Sequence, residues 1–324
     1  MAMRSLEATI GTKALTMGVR GLIDDWLAYC RDADGASPST VEAYRKGLQV
    51  FTDWLRDTGL AGTVTPAAII DYKGWLAAAY SSQTVNLRLS AVRSFYRWCV
   101  VTERLPVSPA ASVRGAKRPK SGAHKRDALT NGEVVGVLAT CQTDLAGIRD
   151  RAILTLMSYC GLRTIEIHRA NVGNLKTQGD RLVLEVQGKG HTSADQVVVI
   201  PVDQEPVIRQ WVTHRLTFRE HGDSSALFIS LSRRSRGARL TTRSIRWIVK
   251  ARYAAAGVVG NKTTHSLRHS AITNAIRHGA SPMQVQAMAR HSSFDTTLGY
   301  YHEVARTENP AEDFIRYEPG AVGV

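Results

Sequence analysis

At 324 residues the chain can hold two domains with separate cores, and its 44% hydrophobic content is ordinary for a globular protein. A formal charge of +14 and a pI near 9.9 are not ordinary and imply a polyanionic partner such as nucleic acid. The sequence argues against a membrane protein or a secreted disulfide scaffold. No apolar run reaches spanning length, Arg4, Glu7 and Lys13 interrupt any N-terminal signal block, and Cys30, Cys99, Cys141 and Cys160 are scattered without zinc-site or disulfide-framework spacing.

A tail, 1–19, precedes a segment, 20–113, that reads as four helices. Gly21 to Cys30 carries Leu22, Ile23, Trp26, Leu27 and Tyr29 as its apolar side. Ser37-Pro38 supplies a cap and first residue to a helix in which Val41, Tyr44, Leu48, Phe51 and Leu55 recur at spacings of three and four, and Gly59 ends it. Thr65-Pro66 opens a third helix with Ile69, Tyr72 and Leu76; a fourth follows Ser82 with Val85, Leu89, Val92, Tyr96 and Cys99. Short polar connections make this a bundle.

Residues 114–129, from Arg114 through Lys117, Arg118 and Pro119 to Lys125 and Arg126, lack apolar periodicity and read as a flexible basic linker able to follow phosphates. A second domain, 130–302, begins with capping-box spacing at Thr130 and Glu133, in a helix through Cys141. A helix from Leu145 to Tyr159 follows, with Ile148, Ala152, Leu156 and Tyr159 expected to bury one face. Arg163 then stands in a glycine-hinged turn before Glu166. Leu182 to Val186 and Gln196 to Ile200 read as a hairpin, with Lys189 at the start of its connection. Helices are expected from about Asp203 to His221 and from Thr242 to Ala256, the latter bearing Arg243 and Arg246, with Arg233, Arg234, Arg236 and Arg239 extending the basic surface before it. The fold class is thus mainly α with a small β-sheet in the C-terminal domain.

The chemistry concentrates between Thr263 and His302. His265 and Arg268, at i and i+3, share a helical face; His291 follows a helix opened by Ser281-Pro282; Tyr300 and Tyr301 close Thr297-Leu298-Gly299-Tyr300-Tyr301-His302. Guanidinium groups bind phosphate oxygens bidentately and stay charged. Histidines handle protons near neutrality, and a phenol, whose free pKa is about 10, becomes a usable nucleophile when cations surround it and its proton has an acceptor. Together with Arg163 these groups suit a phosphodiester. His265 and His269, at i and i+4, could instead bind zinc, but Ser266 occupies the place of a metalloprotease glutamate and no third ligand is near in sequence. No metal or other cofactor is expected.

Arginine in Gly161-Leu162-Arg163-x-x-Glu166, the His265-x-x-Arg268 pair, His291 before Ser292-Ser293, and a tyrosine three residues after Thr297 resemble, in that order, the signature of the tyrosine recombinase (phage integrase) family. The resemblance implies a site-specific recombinase that cuts and rejoins double-stranded DNA through a phosphotyrosine. In it Tyr300 is the nucleophile, Arg163, Arg268, His265 and His291 attend the phosphate, and Lys189 protonates the leaving oxygen. Glu166 reads as a carboxylate holding an active-site arginine rather than a proton carrier. The first domain resembles the family's core-binding domain, with Arg88, Arg93 and Arg97 nearest DNA, joined by Lys117, Arg118, Arg243 and Arg246. The scattered cysteines, with no signal block or spanning run, are expected for a cytoplasmic protein, and the resemblance further implies a homotetramer on two sites, accessory DNA-bending proteins as additional partners, and a tail, 303–324, able to dock on a neighbouring protomer. Only about twenty residues precede the first helix, which favours the simple, Xer-like architecture without an arm-binding module. The family pattern has glycine before the second histidine, where this chain has Arg290, and its hairpin connection is usually shorter than Gly190 to Asp195. A type IB topoisomerase and a non-catalytic DNA-binding protein are the alternatives.

Overall fold

The computed structural model describes residues 19–60, 64–117, 128–188, 193–218, 223, 225–308, 310, 313 and 315. It divides into two compact units, Met1–Lys120 and Ser121–Val324.

The first unit consists of α1 (Val19–Asp32), α2 (Pro38–Asp57), α3 (Pro66–Ala79) and α4 (Ser82–Val101). Ser37, Thr65 and Ser81 cap the last three, each side chain accepting from a backbone N–H three residues on. Gly59, at φ 70°, releases the chain after α2. Helices α2 and α4 meet closely at Gly47, where a Cβ would lie 2.8 Å from that of Ala91. Aromatic rings fill the core, with the Phe51 and Tyr72 centroids 4.8 Å apart. Tyr29, expected on the apolar side of α1, is exposed. The start of the expected linker belongs to this unit: the Asn86 side chain accepts from Ala116 N at 2.8 Å and donates to Ala116 O at 2.9 Å.

The second unit contains α5 (Asn131–Ala139), α6 (Leu145–Ser158) and α7 (Thr164–Arg169), then β1 (Leu175–Gln178), β2 (Arg181–Val186) and β3 (Gln196–Val199). Further on come α8 (Glu205–Leu216), α9 (Thr242–Ala255), α10 (Thr264–Arg277), α11 (Pro282–Ala289) and α12 (Phe294–Glu308). The fold is mainly helical with one small antiparallel sheet, as the sequence implies. The sheet has three strands in the order β1-β2-β3, Leu184 facing Leu175 on one side and Val198 on the other; the hairpin reading missed β1. Helix α6 is buried almost all round, against α8 and α10. Its ends differ from expectation, because Tyr159 is exposed and caps the helix instead of burying a face. Asp150 of α6 is buried between Arg149, at 2.7 Å, and Arg252 of α9, at 2.6 Å, which fastens α9 to the core. A smaller apolar cluster joins α10, α11 and α12 through Ile272, Ile276, Val285, Ala289 and Tyr300. Because α12 runs unbroken through Glu308, the tail expected from residue 303 begins inside this helix. No described helix is long and apolar enough to cross a membrane.

Candidate active site

Gly161, at φ 62°, turns the chain out of α6. Arg163 then stands extended at the head of α7, a helix where the sequence suggested only a turn. The helix forms because Glu166 folds back on its own start: its Oε2 accepts from Arg163 N at 2.7 Å, and its Oε1 accepts from Arg163 Nη1 at 2.8 Å. Glu166 is wholly buried, whereas the Arg163 side chain keeps 27% exposure. A third group joins them. Arg290 closes α11 in the left-handed region, at φ 52° and ψ 49°, and its Nη2 lies 2.7 Å from Glu166 Oε2. Burial alone would raise the Glu166 carboxyl, but Arg290 and Arg163 outweigh it and hold the group below the usual carboxylate range.

Arg268 projects from α10 into the same cluster and is 1% exposed. It donates to the carbonyls of Gly161 and Ala289, tying the end of α6 to the end of α11. Burial first, then Arg163 and Arg290, pull its pKa down to about 9, so it stays charged at neutral pH. His291 follows Arg290, with Nδ1 3.0 Å from Thr297 Oγ1. Burial and the neighbouring Arg268, Arg163, Arg290 and His265 lower it to about 4, leaving a neutral imidazole.

Tyr300 is 3% exposed. Its ring stacks near His291, centroids 5.9 Å apart, and its hydroxyl lies 3.4 Å from His269 Nε2. His265 abuts His269, with centroids at 4.9 Å. Burial lifts the Tyr300 phenol to about 12, although Arg268 and Arg163 pull the other way. Cations around the ring therefore do not ionise it at rest. The neighbouring Tyr301 is anchored elsewhere, donating to Ala280 O. Arg163 borders two clefts of about 640 and 600 Å³, the first shared with His265, Arg246 and Lys250, the second with His291 and Arg290.

The fold thus gathers Arg163, Glu166, His265, Arg268, His291 and Tyr300. Lys189 and Arg118 lie outside the described residues. Arg243 and Arg246 are exposed on α9, as is Lys117. In the first unit Arg97 is exposed; Arg93 donates to Val113 O, and the Arg88 guanidinium lies 3.8 Å from the Tyr80 ring centroid, so those two are partly committed to holding the bundle. Arg239, expected to extend the basic surface, is committed to Asp223 at 2.8 Å and to Asn171 at 2.7 Å.

Four further residues have no site role in the sequence reading. His269 was weighed only as a zinc ligand; Arg290 was noted only for replacing a glycine; Thr297 served only as a spacing mark. Trp247, 71% exposed between Arg246 and Lys250 on α9, was signalled by an indole standing off the apolar stripe of an amphipathic helix.

Residues 127–307 match the phage integrase family, and residues 23–102 match the phage integrase N-terminal SAM-like domain. The tyrosine recombinase XerC of Actinobacillus succinogenes is 31% identical over 272 residues, covering 82% of this chain and 87% of that protein. Among solved structures, XerH bound to a difH substrate in a pre-cleavage complex is similar in fold, with a TM-score of 0.65 at 17% identity over 88% of this chain and 84% of that one. A lambda integrase tetramer bound to a Holliday junction gives a TM-score of 0.63 at 15% identity, over 87% of this chain and 76% of that one.

Proposed function

This chain belongs to the phage integrase family of tyrosine recombinases, enzymes of site-specific DNA recombination by transesterification, and we propose that Tyr300 is the residue that takes over the cleaved strand. The observation that carries this reading is the meeting of Arg163, Arg268, His265, His291 and Tyr300, spread over some 140 positions of sequence, around one cationic cluster. The Tyr300 oxygen attacks the phosphorus while the bond to the 5′ oxygen breaks, leaving a phosphotyrosyl ester. A phenol near pKa 12 is protonated at neutral pH, so its proton leaves as attack proceeds, and His269 Nε2, 3.4 Å away, is the acceptor. Arg163 and Arg268 stabilise the charge that grows on the non-bridging oxygens. His291, kept neutral and oriented by Thr297, hydrogen-bonds one of those oxygens, and His265 assists beside Arg163. Lys189 protonates the departing oxygen. The ester conserves the bond energy, so a partner strand's 5′ hydroxyl reverses the step.

Arg243, Arg246, Lys250 and Trp247 form the duplex-facing side of α9, with Arg97, Lys117 and Arg118 contributing from the first unit and the linker. Exchange between two sites requires four strand-cutting tyrosines, which makes a tetramer on DNA the working assembly, in the cytoplasm on mobile or chromosomal DNA. Covalent trapping tests the reading. Inverted repeats beside the encoding gene, made as nicked duplexes, are incubated with protein and resolved under denaturing conditions. Wild type and Tyr301→Phe should retain the DNA and Tyr300→Phe should not; retention by Tyr300→Phe with loss in Tyr301→Phe would reassign the nucleophile.

A further inference from the structure

One buried cation has no task in this reaction. The Arg290 side chain is 4% exposed and its donors are spent internally: Nη2 on Glu166 Oε2 at 2.7 Å and Gly161 O at 3.2 Å, Nε on Glu166 Oε1 at 3.5 Å, Nη1 on Met288 O at 2.6 Å. Its guanidinium is placed to act through its neighbours rather than on DNA. Its backbone, at φ 52°, adopts a conformation that glycine takes freely and that other residues disfavour. A large side chain held there against the preference of the main chain must contribute something in return.

The charge balance around Glu166 shows what. Glu166 is completely buried and touches two guanidinium groups, Arg163 from its own helix and Arg290 from the end of α11. With Arg163 alone the pair would be neutral. An incoming phosphate would then meet an arginine whose charge is already cancelled, next to a carboxylate that repels it. With Arg290 present the three side chains carry a net single positive charge. Arg163, the more exposed arginine, keeps that charge for the phosphate. The main-chain carbonyl of Arg290 also accepts from Arg163 Nη2 at 3.4 Å, a contact that any residue at this position would supply.

We propose that Arg290 is a positioning residue: it neutralises the Glu166 carboxylate so that Arg163 presents an uncompensated guanidinium to the scissile phosphate. This rests on the reading of Arg163 as a phosphate ligand.

The test is single-turnover cleavage of the nicked duplex recovered by covalent trapping, with DNA affinity measured in parallel. Arg290→Gly suits the left-handed backbone and should fold, as a cooperative thermal melt will show. It should lower the cleavage rate by about 10²-fold while affinity changes far less. Arg290→Lys, which keeps the charge but loses the fork, should recover part of the rate. The discriminating variant is Arg290→Gly combined with Glu166→Gln. Removing the stranded carboxylate should restore at least about tenfold over Arg290→Gly alone, whereas a purely structural role makes the double variant no better than the single. The inference is overturned if Arg290→Gly stays within about twofold of wild type or if the double variant shows no recovery. If wild type itself forms no adduct with any candidate site, the reading of Arg163 falls first and this inference with it.

Discussion

Replacing Glu166 by glutamine in the otherwise native chain tests the electrostatics of the site without DNA. Glutamine keeps the shape and one carbonyl oxygen but removes the carboxylate that pairs with both Arg163 and Arg290, and it turns an amide NH₂ toward one of those donors. Arg268, 1% exposed, loses a favourable neighbour as well. Stripping one partner from a buried charge cluster costs about 3–5 kcal/mol. In a unit of this size each kcal/mol moves the melting midpoint by about 2–4 °C, so the midpoint should fall by roughly 6–20 °C. The pH dependence has a definite sign. The folded-state pKa of Glu166 lies below its ordinary value, so its contribution is fully present above the unfolded carboxylate pKa of about 4.3 and is lost as pH falls through the folded value. The gap between wild type and variant should therefore be widest at neutral pH and narrow below about pH 4. Thermal unfolding followed by circular dichroism from pH 7 downward measures both. A midpoint change under about 3 °C at pH 7, or a gap that does not narrow in acid, would refute the reasoning.

Other consequences can be checked in the same preparations. His291 has its folded pKa depressed to about 4, so in the DNA-free protein its protonation favours unfolding, and stability should decline as pH falls from about 6.5 toward 4; His291→Gln should flatten that limb of the titration. Thr297→Val removes the hydroxyl 3.0 Å from His291 Nδ1 and should slow strand cleavage roughly five- to tenfold with little change in DNA affinity. Arg243→Ala and Arg246→Ala should each reduce the salt slope of DNA binding by about 0.9, whereas Trp247→Ala should weaken binding and leave the slope alone, as filter binding across a salt series will show.

Much of the fold could be read from local signals because those signals were strong. Ser37-Pro38 and Thr65-Pro66 cap helices where expected, and the capping box at Thr130 and Glu133 is formed. The misses have physical causes. Helix α7 begins at an arginine whose side chain cannot serve as an N-cap acceptor, so only Glu166, three residues on, announces it. Strand β1, Leu-Lys-Thr-Gln, is exposed along most of its length and shows no apolar alternation. At the site, the motif spacing named groups that the fold brings together, but it could not report burial. The sequence suggested a phenol eased toward ionisation by surrounding cations; in the folded chain desolvation outweighs Arg268 and Arg163, and the phenol is less acidic than in water.

That reversal changes how the cations contribute. As the proposed nucleophile, a tyrosine near pKa 12 gains little from Arg163 and Arg268 before substrate arrives, so on this reading their stabilisation is realised when negative charge builds up at phosphorus. On the same reading proton removal is concerted with attack, and His269, 3.4 Å from the hydroxyl, is the proposed acceptor. A neutral His291 fits the same logic. A histidinium there would add another cation to a cluster that already depresses its pKa, whereas in the tautomer whose Nδ1 accepts from Thr297 a neutral ring has Nε2–H to donate to a phosphate oxygen. On the proposed reading, the arginines hold the positive charge, His269 takes the nucleophile's proton, and the buried Glu166 with Arg290 sets how much of the charge on Arg163 the phosphate encounters.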